Sequence, residues 1–237
     1  MNIAQTIDKT KILTRSEIST VIADLERKGK RSVSTRMNRI VFRLATCCGL
    51  RVSEVVGITL SNVKTEGQRP HVYIPKQVGK GKRKARQVPL NWDAATLADL
   101  RAWKQHRHEQ GALGSERFIA SQSSDTAGKP LERRNAQNRW DAAIKSLCTC
   151  ERPAGKHNDD CRVSDLSIHC GRHSFCSHAL AGGRTLVEVR DAAGHANIST
   201  TSLYLHIVRD DDETVGDLFG FQEVGGAALS RNKQGKN

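Results

Sequence analysis

Gly194-His195-Ala196-Asn197-Ile198-Ser199-Thr200-Thr201-Ser202-Leu203-Tyr204 is the stretch from which this chain is best read. A tyrosine stands nine residues after a Gly-His pair. Upstream lies His169-Cys170-Gly171-Arg172-His173-Ser174-Phe175, and far upstream Gly49-Leu50-Arg51-Val52-Ser53-Glu54. Singly, each residue has an ordinary explanation. An arginine past a helix end is mostly a solvated surface group, and a lone tyrosine mostly belongs to a core or an interface. Taken in order, Arg51, His169, Arg172, His195 and Tyr204 form a set with a shared chemistry.

Outward from these motifs the pattern is mainly helical. Thr14-Arg15-Ser16-Glu17 is a capping box, followed by Ile18, Val21, Ile22 and Leu25 at helical spacing. A second helix is predicted from about Thr35, with Ile40, Val41, Leu44 and Ala45 on one face and Gly49 as its stop. Ser53 to Gly57 reads as a further helical turn. Val72-Tyr73-Ile74 and Gln87-Val88-Pro89-Leu90 read as strands of a β-hairpin with a basic tip, Gly79-Lys80-Gly81-Lys82-Arg83-Lys84-Ala85-Arg86. Asp93 caps a helix carrying Leu97, Leu100 and Trp103, and another carries Ala136, Trp140, Ile144 and Leu147. Helix is expected again after Arg172 and stops at Gly182-Gly183. Thr185 to Glu188 is a second capping box, and a last short helix is expected to hold Tyr204. The fold class is mainly α with a small antiparallel β-sheet.

The 237 residues suffice to bury a core. A net charge of +13 points to a polyanionic partner, most simply nucleic acid. Aromatic residues are 4% of the chain, so base stacking is not expected to dominate recognition. No run of about 18 apolar residues marks a membrane helix, and the first residues lack the pattern of a signal peptide. Seven cysteines, several in apolar contexts, read as reduced thiols of a cytoplasmic protein.

The motif residues suit attack on a phosphodiester. A phenol oxygen can serve as nucleophile, and its phenolate is stable enough to leave again. The planar forks of Arg51 and Arg172 can each bind two phosphate oxygens and stay charged. His169 and His195 can donate hydrogen bonds or move protons near neutral pH. A hairpin lysine, Lys80 first, can protonate a leaving oxygen, while Lys82, Arg83, Lys84 and Arg86 are expected to grip DNA phosphates. No HExxH or P-loop occurs, so no cofactor, metal or ATP is expected in the chemical step. His173 and His178 read as packing or surface residues.

At this point the chain resembles the tyrosine recombinases, or phage integrase family, over roughly Lys11 to Gln222. Gly49 to Glu54 is similar to the family's first arginine motif, Gly79-Lys80-Gly81 to its lysine hairpin, His169 to Phe175 to its His-x-x-Arg motif, and Gly194-His195 to its second histidine motif. Tyr204 stands at the nucleophile's spacing. The resemblance implies that Tyr204 forms a 3′-phosphotyrosine link. Arg51, Arg172 and His195 would stabilise the pentavalent phosphate, His169 would assist proton transfer, and Lys80 would be the general acid, with Lys82 or Lys84 as fallback. Glu54 would be a supporting carboxylate. It also implies double-stranded DNA as partner and a homo-tetramer assembled on it. The alternatives kept open are a non-catalytic DNA-binding accessory protein and a type IB topoisomerase.

The expected organisation is a tail at 1–10, a catalytic domain at 11–222 and a disordered tail at 223–237. The family's usual N-terminal clamping domain is not expected here, and an accessory DNA-binding protein could replace it. A loop insertion is expected at 149–165. Cys148, just ahead of it, and Cys150, His157 and Cys161 within it could hold a structural zinc; the alternative is an ordinary polar insertion with thiols. Cys47, Cys48 and Cys176 read as core. After Tyr204, the acidic run 210–213 and the apolar Val215, Leu218 and Phe219 could dock on a neighbouring subunit or fold back on their own domain.

Overall fold

The computed structural model describes residues 7–78, 84–122, 126–150 and 161–205. Eight α-helices lie among them beside one small sheet: α1 (Arg15–Gly29), α2 (Val33–Thr46), α3 (Val52–Gly57), α4 (Ala94–Glu109), α5 (Arg133–Ile144), α6 (Ile168–Ala181), α7 (Leu186–Ala193) and α8 (Ile198–Ser202). The sheet is β1 (Val63–Lys64), β2 (His71–Ile74) and β3 (Arg86–Pro89), in that order and antiparallel throughout. This is the expected fold class.

Helix α2 is the central element, packing against α1, α4, α5 and α6. Its Met37, Ile40, Val41 and Leu44 are buried, and Phe42 stacks on Trp140 of α5 at a centroid distance of 5.3 Å. Burying one such aromatic or aliphatic side chain contributes roughly 1.5–3 kcal/mol. Arg43 also points inward, bonded to Asp93 at 3.2 Å, Thr96 at 3.2 Å and Asp99 at 3.0 Å. A buried guanidinium is tolerated because carboxylates and a hydroxyl meet its N–H groups. This joins α2 to the start of α4.

Both predicted capping boxes form. Thr14 Oγ1 accepts from the Glu17 N–H while Glu17 accepts from the Thr14 N–H, and Thr185 and Glu188 repeat the arrangement. Three local expectations change. Helix α2 begins two residues before Thr35, because Ser32 rather than a later residue caps it. Helix α6 begins at Ile168, so His169 and Arg172 stand on the helix and not ahead of it. Tyr204 lies beyond α8, in a turn closed by its own N–H on the Thr201 carbonyl at 3.1 Å. None of the seven cysteines is disulfide-bonded, and Cys47, Cys48 and Cys176 are buried as expected. No helix among the described residues is long and apolar enough to cross a membrane.

Candidate active site

The last carbonyls of α7 organise the site. A helix C-terminus presents carbonyls without intrahelical partners and a partial negative charge. Here three consecutive carbonyls each take one arginine from a different element. Ala192 O accepts from Nε of Arg86 on β3 at 2.8 Å, Ala193 O from Nη2 of Arg172 on α6, and Gly194 O from Nη2 of Arg51 ahead of α3 at 3.2 Å. Arg172 also donates to the Gly49 carbonyl at 2.7 Å. Three distant motifs are thereby drawn to the three residues preceding His195.

Two glycines make this approach possible. Gly49 has φ +63°, and a Cβ there would lie 2.4 Å from the Phe175 ring. Gly194 has φ +66°, and its Cβ would lie 2.8 Å from Cδ of Arg86. Both positions are left-handed and crowded, conditions that only glycine meets without strain.

Glu54 holds the arginines in place. It is fully buried. The Arg86 fork meets both its oxygens at 2.7 Å, and Arg51 reaches it through the backbone N–H at 2.8 Å and Nη1 at 3.1 Å. Burial works to raise the Glu54 pKa, but Arg86 and then Arg51 outweigh it and bring the carboxyl down to about 2. Glu54 is thus ionised and supporting in its geometry. Arg86 departs from its expected phosphate-gripping task, because its guanidinium is turned inward onto Glu54 and Ala192. Burial lowers the Arg172 pKa to about 10, which leaves it charged at neutral pH.

One face of α6 completes the cluster: His169, Arg172, His173 and Cys176 at the i, i+3, i+4, i+7 spacing. His169 is exposed at the residue level, yet desolvation of its ring, then Arg172 and Arg51, lower its pKa. Its ring meets that of His173 edge-on at 4.6 Å. Nδ1 of His173 lies 2.7 Å from the Tyr204 hydroxyl. Desolvation, then His169 and Arg172, bring His173 down to about 4, so the ring is neutral at pH 7. Tyr204 is buried, and burial pushes its phenol well above the ordinary tyrosine value. The phenol O–H donates to Nδ1 in the tautomer that carries the imidazole proton on Nε2. His195 stacks on the Tyr204 ring at 6.3 Å and pairs through Nδ1 with Thr201 Oγ1 at 2.9 Å.

Of the expected set, Arg51, His169, Arg172, His195 and Tyr204 converge. Lys80, Lys82 and Arg83 lie outside the described residues. Lys84 is exposed and borders an open groove of ≈ 610 Å³, together with Arg86, Arg190, Gly194 and His195. Sequence reasoning passed over His173, although its spacing of four from His169 placed both on one helical face. His178 is a packing residue as expected, with Nε2 at 2.7 Å from the Leu13 carbonyl. At the loop insertion and the residue before it, the sulfur atoms of Cys148, Cys150 and Cys161 lie within 4.8 Å of one another. His157 lies outside the described residues, as do the acidic run 210–213 and the apolar residues after it.

Residues 11–210 match the model of the phage integrase family. The tyrosine recombinase XerD of Rhizobium meliloti (strain 1021) is 29% identical over 211 residues, covering 87% of this chain and 60% of that protein. The XerD of Halalkalibacterium halodurans is 30% identical over 204 residues, covering 84% and 58%. The chain therefore spans less than two thirds of the length of these relatives. Among solved structures, the XerH site-specific recombinase bound to palindromic difH substrate superposes with a TM-score of 0.60 at 22% identity, over 86% of this chain and 50% of that one. A lambda integrase (75–356) dimer bound to a COC′ core site gives 0.56 at 17%, over 86% and 62%. A mainly helical domain with a small three-stranded antiparallel sheet is the fold of tyrosine recombinase catalytic domains. This chain belongs to the phage integrase family.

Proposed function

We propose that this chain is a site-specific DNA recombinase or integrase that cleaves and rejoins strands through a 3′-phosphotyrosine at Tyr204, with neither metal nor ATP in the chemical step. The observation that carries this reading is the meeting of Arg51, Arg172, His169, His195 and Tyr204 around the end of α7.

The Tyr204 oxygen attacks the scissile phosphorus, the P–O5′ bond breaks, and the 5′-oxygen takes a proton. Lys80 is the first choice of donor, with Lys82 or Lys84 as fallback. His169 assists transfer of the phenol proton, with His173 2.7 Å from the hydroxyl to orient it. Arg51, Arg172 and His195 offset the charge that develops on the phosphoryl oxygens; preorganised donors of this kind contribute about 3–4 kcal/mol each. One phosphodiester is exchanged for another, so a 5′-hydroxyl from a second strand can reverse the step with no external energy source.

The partner is double-stranded DNA. The charge of +13 favours it, because each neutralised phosphate releases counterions. Strand exchange between duplexes calls for four protomers, with residues 11–222 as the catalytic unit and a further DNA-binding protein as a possible helper. A plasmid carrying two copies of the DNA flanking the gene tests this reading. Recombinant products that require both copies, and vanish with Tyr204→Phe, support it. Relaxation of supercoils by monomer on plasmid lacking the sites would point to a topoisomerase instead. Retardation of DNA without any product would point to a binding protein.

A further inference from the structure

We propose that Cys148, Cys150 and Cys161 form a structural zinc site that clips the end of α5 to the approach into α6.

The three sulfur atoms lie within 4.8 Å of one another, and those of Cys148 and Cys161 are 3.7 Å apart. Tetrahedral zinc with Zn–S bonds of about 2.3 Å sets neighbouring sulfurs about 3.8 Å apart. A disulfide needs about 2.05 Å, well short of the observed spacing. Among the described residues no other group of three His, Cys, Asp or Glu side chains converges in this way. An all-sulfur donor set favours a soft or borderline ion and disfavours magnesium or calcium. Structural zinc takes a fourth donor beside these three sulfurs.

The location gives the clip a purpose. Cys148 ends the 3₁₀ turn Lys145–Leu147 that continues α5. Cys161 opens the run into α6. That run is already tied down at several points: the Trp140 indole donates to the Leu166 carbonyl at 2.8 Å, Gln137 accepts from the Ile168 N–H at 3.2 Å, and Arg162 grips Glu17 at 2.6 Å and the Ile12 carbonyl at 2.8 Å. A metal joining Cys148, Cys150 and Cys161 closes the intervening loop and secures the base of the helix that carries His169 and Arg172. Its binding energy becomes folding energy, as in other small metal-stapled segments.

The test uses untagged full chain, purified without added metal and kept reduced by a non-chelating phosphine. Metal analysis is expected to find close to one zinc per chain. Chelator-treated protein titrated with cobalt(II) is expected to show a thiolate-to-cobalt charge-transfer band and the intense visible bands of a tetrahedral site, ending at one equivalent. Cys148→Ser and Cys161→Ser are expected to weaken cobalt binding roughly ten-fold or more, while Cys47→Ala retains it. Titration of the wild type stands on its own if a variant fails to fold. Absence of the charge-transfer band in folded wild type would overturn the proposal. So would metal retained by the Cys148→Ser/Cys161→Ser double variant.

Discussion

The Tyr204 hydroxyl sits 2.7 Å from Nδ1 of His173, a residue one position beyond the second arginine of the site. The contact joins the turn after α8 to α6 and fixes where the phenol oxygen points. It also gives a buried hydroxyl the partner it needs. Leaving such a group unpaired costs about 1–3 kcal/mol.

His173→Phe should therefore slow formation of the covalent DNA adduct roughly ten- to hundred-fold, one to two powers of ten at about 1.4 kcal/mol each. DNA affinity should change little, because His173 faces Tyr204 rather than the groove. Single-turnover cleavage and filter binding on the same preparation separate the two. If His173 only packs, the two readouts should fall together or not at all, and His173→Asn should not rescue the rate.

Arg86 and Lys84 are two residues apart and should fail differently. Lys84→Ala should make the slope of log affinity against log salt shallower by about 0.9, the loss of one phosphate contact. Arg86→Ala should leave that slope alone and lower stability by about 3–5 kcal/mol, because Glu54 keeps its buried charge and loses its fork. Urea midpoints and salt titrations on both variants check this. A shallower salt slope for Arg86→Ala would return it to the phosphate-gripping task.

The sequence already held the sign for Arg86. Val88 is buried on β3, and side chains two apart share a face, so Arg86 had to point inward with it. The basic run around it masked that alternation. The start of α6 was hidden for a related reason. Ser167 makes no capping bond, and glycine at 171 has low helix propensity. Gly171 is there because a Cβ would come within 2.9 Å of Trp140 and 3.0 Å of Ala45, a contact from distant elements that local propensity does not carry. Strand β1, with two residues, is too short to show a period. Helices with capping boxes and strong apolar periods were legible, as were the five motif residues. The carbonyl row at Ala192, Ala193 and Gly194 was not, because it arises only when three elements meet.

Gly49→Ala should destabilise the protein by about 2–4 kcal/mol, combining a left-handed φ with a clash against Phe175. It should also shift the carbonyl that holds Arg172, so cleavage should fall further than the loss of folded protein explains. Denaturant unfolding and cleavage rate per folded molecule give the two numbers. A stable, active Gly49→Ala would show that the crowding is relieved elsewhere.

Stability should fall as the medium is acidified, in two overlapping steps. His173 has a folded pKa of about 4 against an ordinary 6.5, so the unfolded chain binds its proton first. Stability is lost from about pH 6.5 down to pH 4. Glu54 has a folded pKa of about 2 against 4.5, so its contribution is full above pH 4.5 and is lost as pH falls toward 2. For this mostly buried group the shift corresponds to about 3 kcal/mol. Urea midpoints at stepped pH should show the upper step flattened in His173→Phe and the lower step reduced in Glu54→Gln. Stability rising as pH drops from 6.5 to 4 would contradict the neutral state of His173.

The central claim is that Tyr204 becomes covalently joined to DNA. Wild type, Tyr204→Phe and Arg172→Lys should be incubated, without added metal, on nicked DNA fragments drawn from the gene's own flanks, then run on a denaturing gel. A slowly migrating adduct with wild type, absent with Tyr204→Phe and sharply reduced with Arg172→Lys, is the predicted result. An adduct that persists in Tyr204→Phe, or none on fragments the protein demonstrably binds, would contradict it.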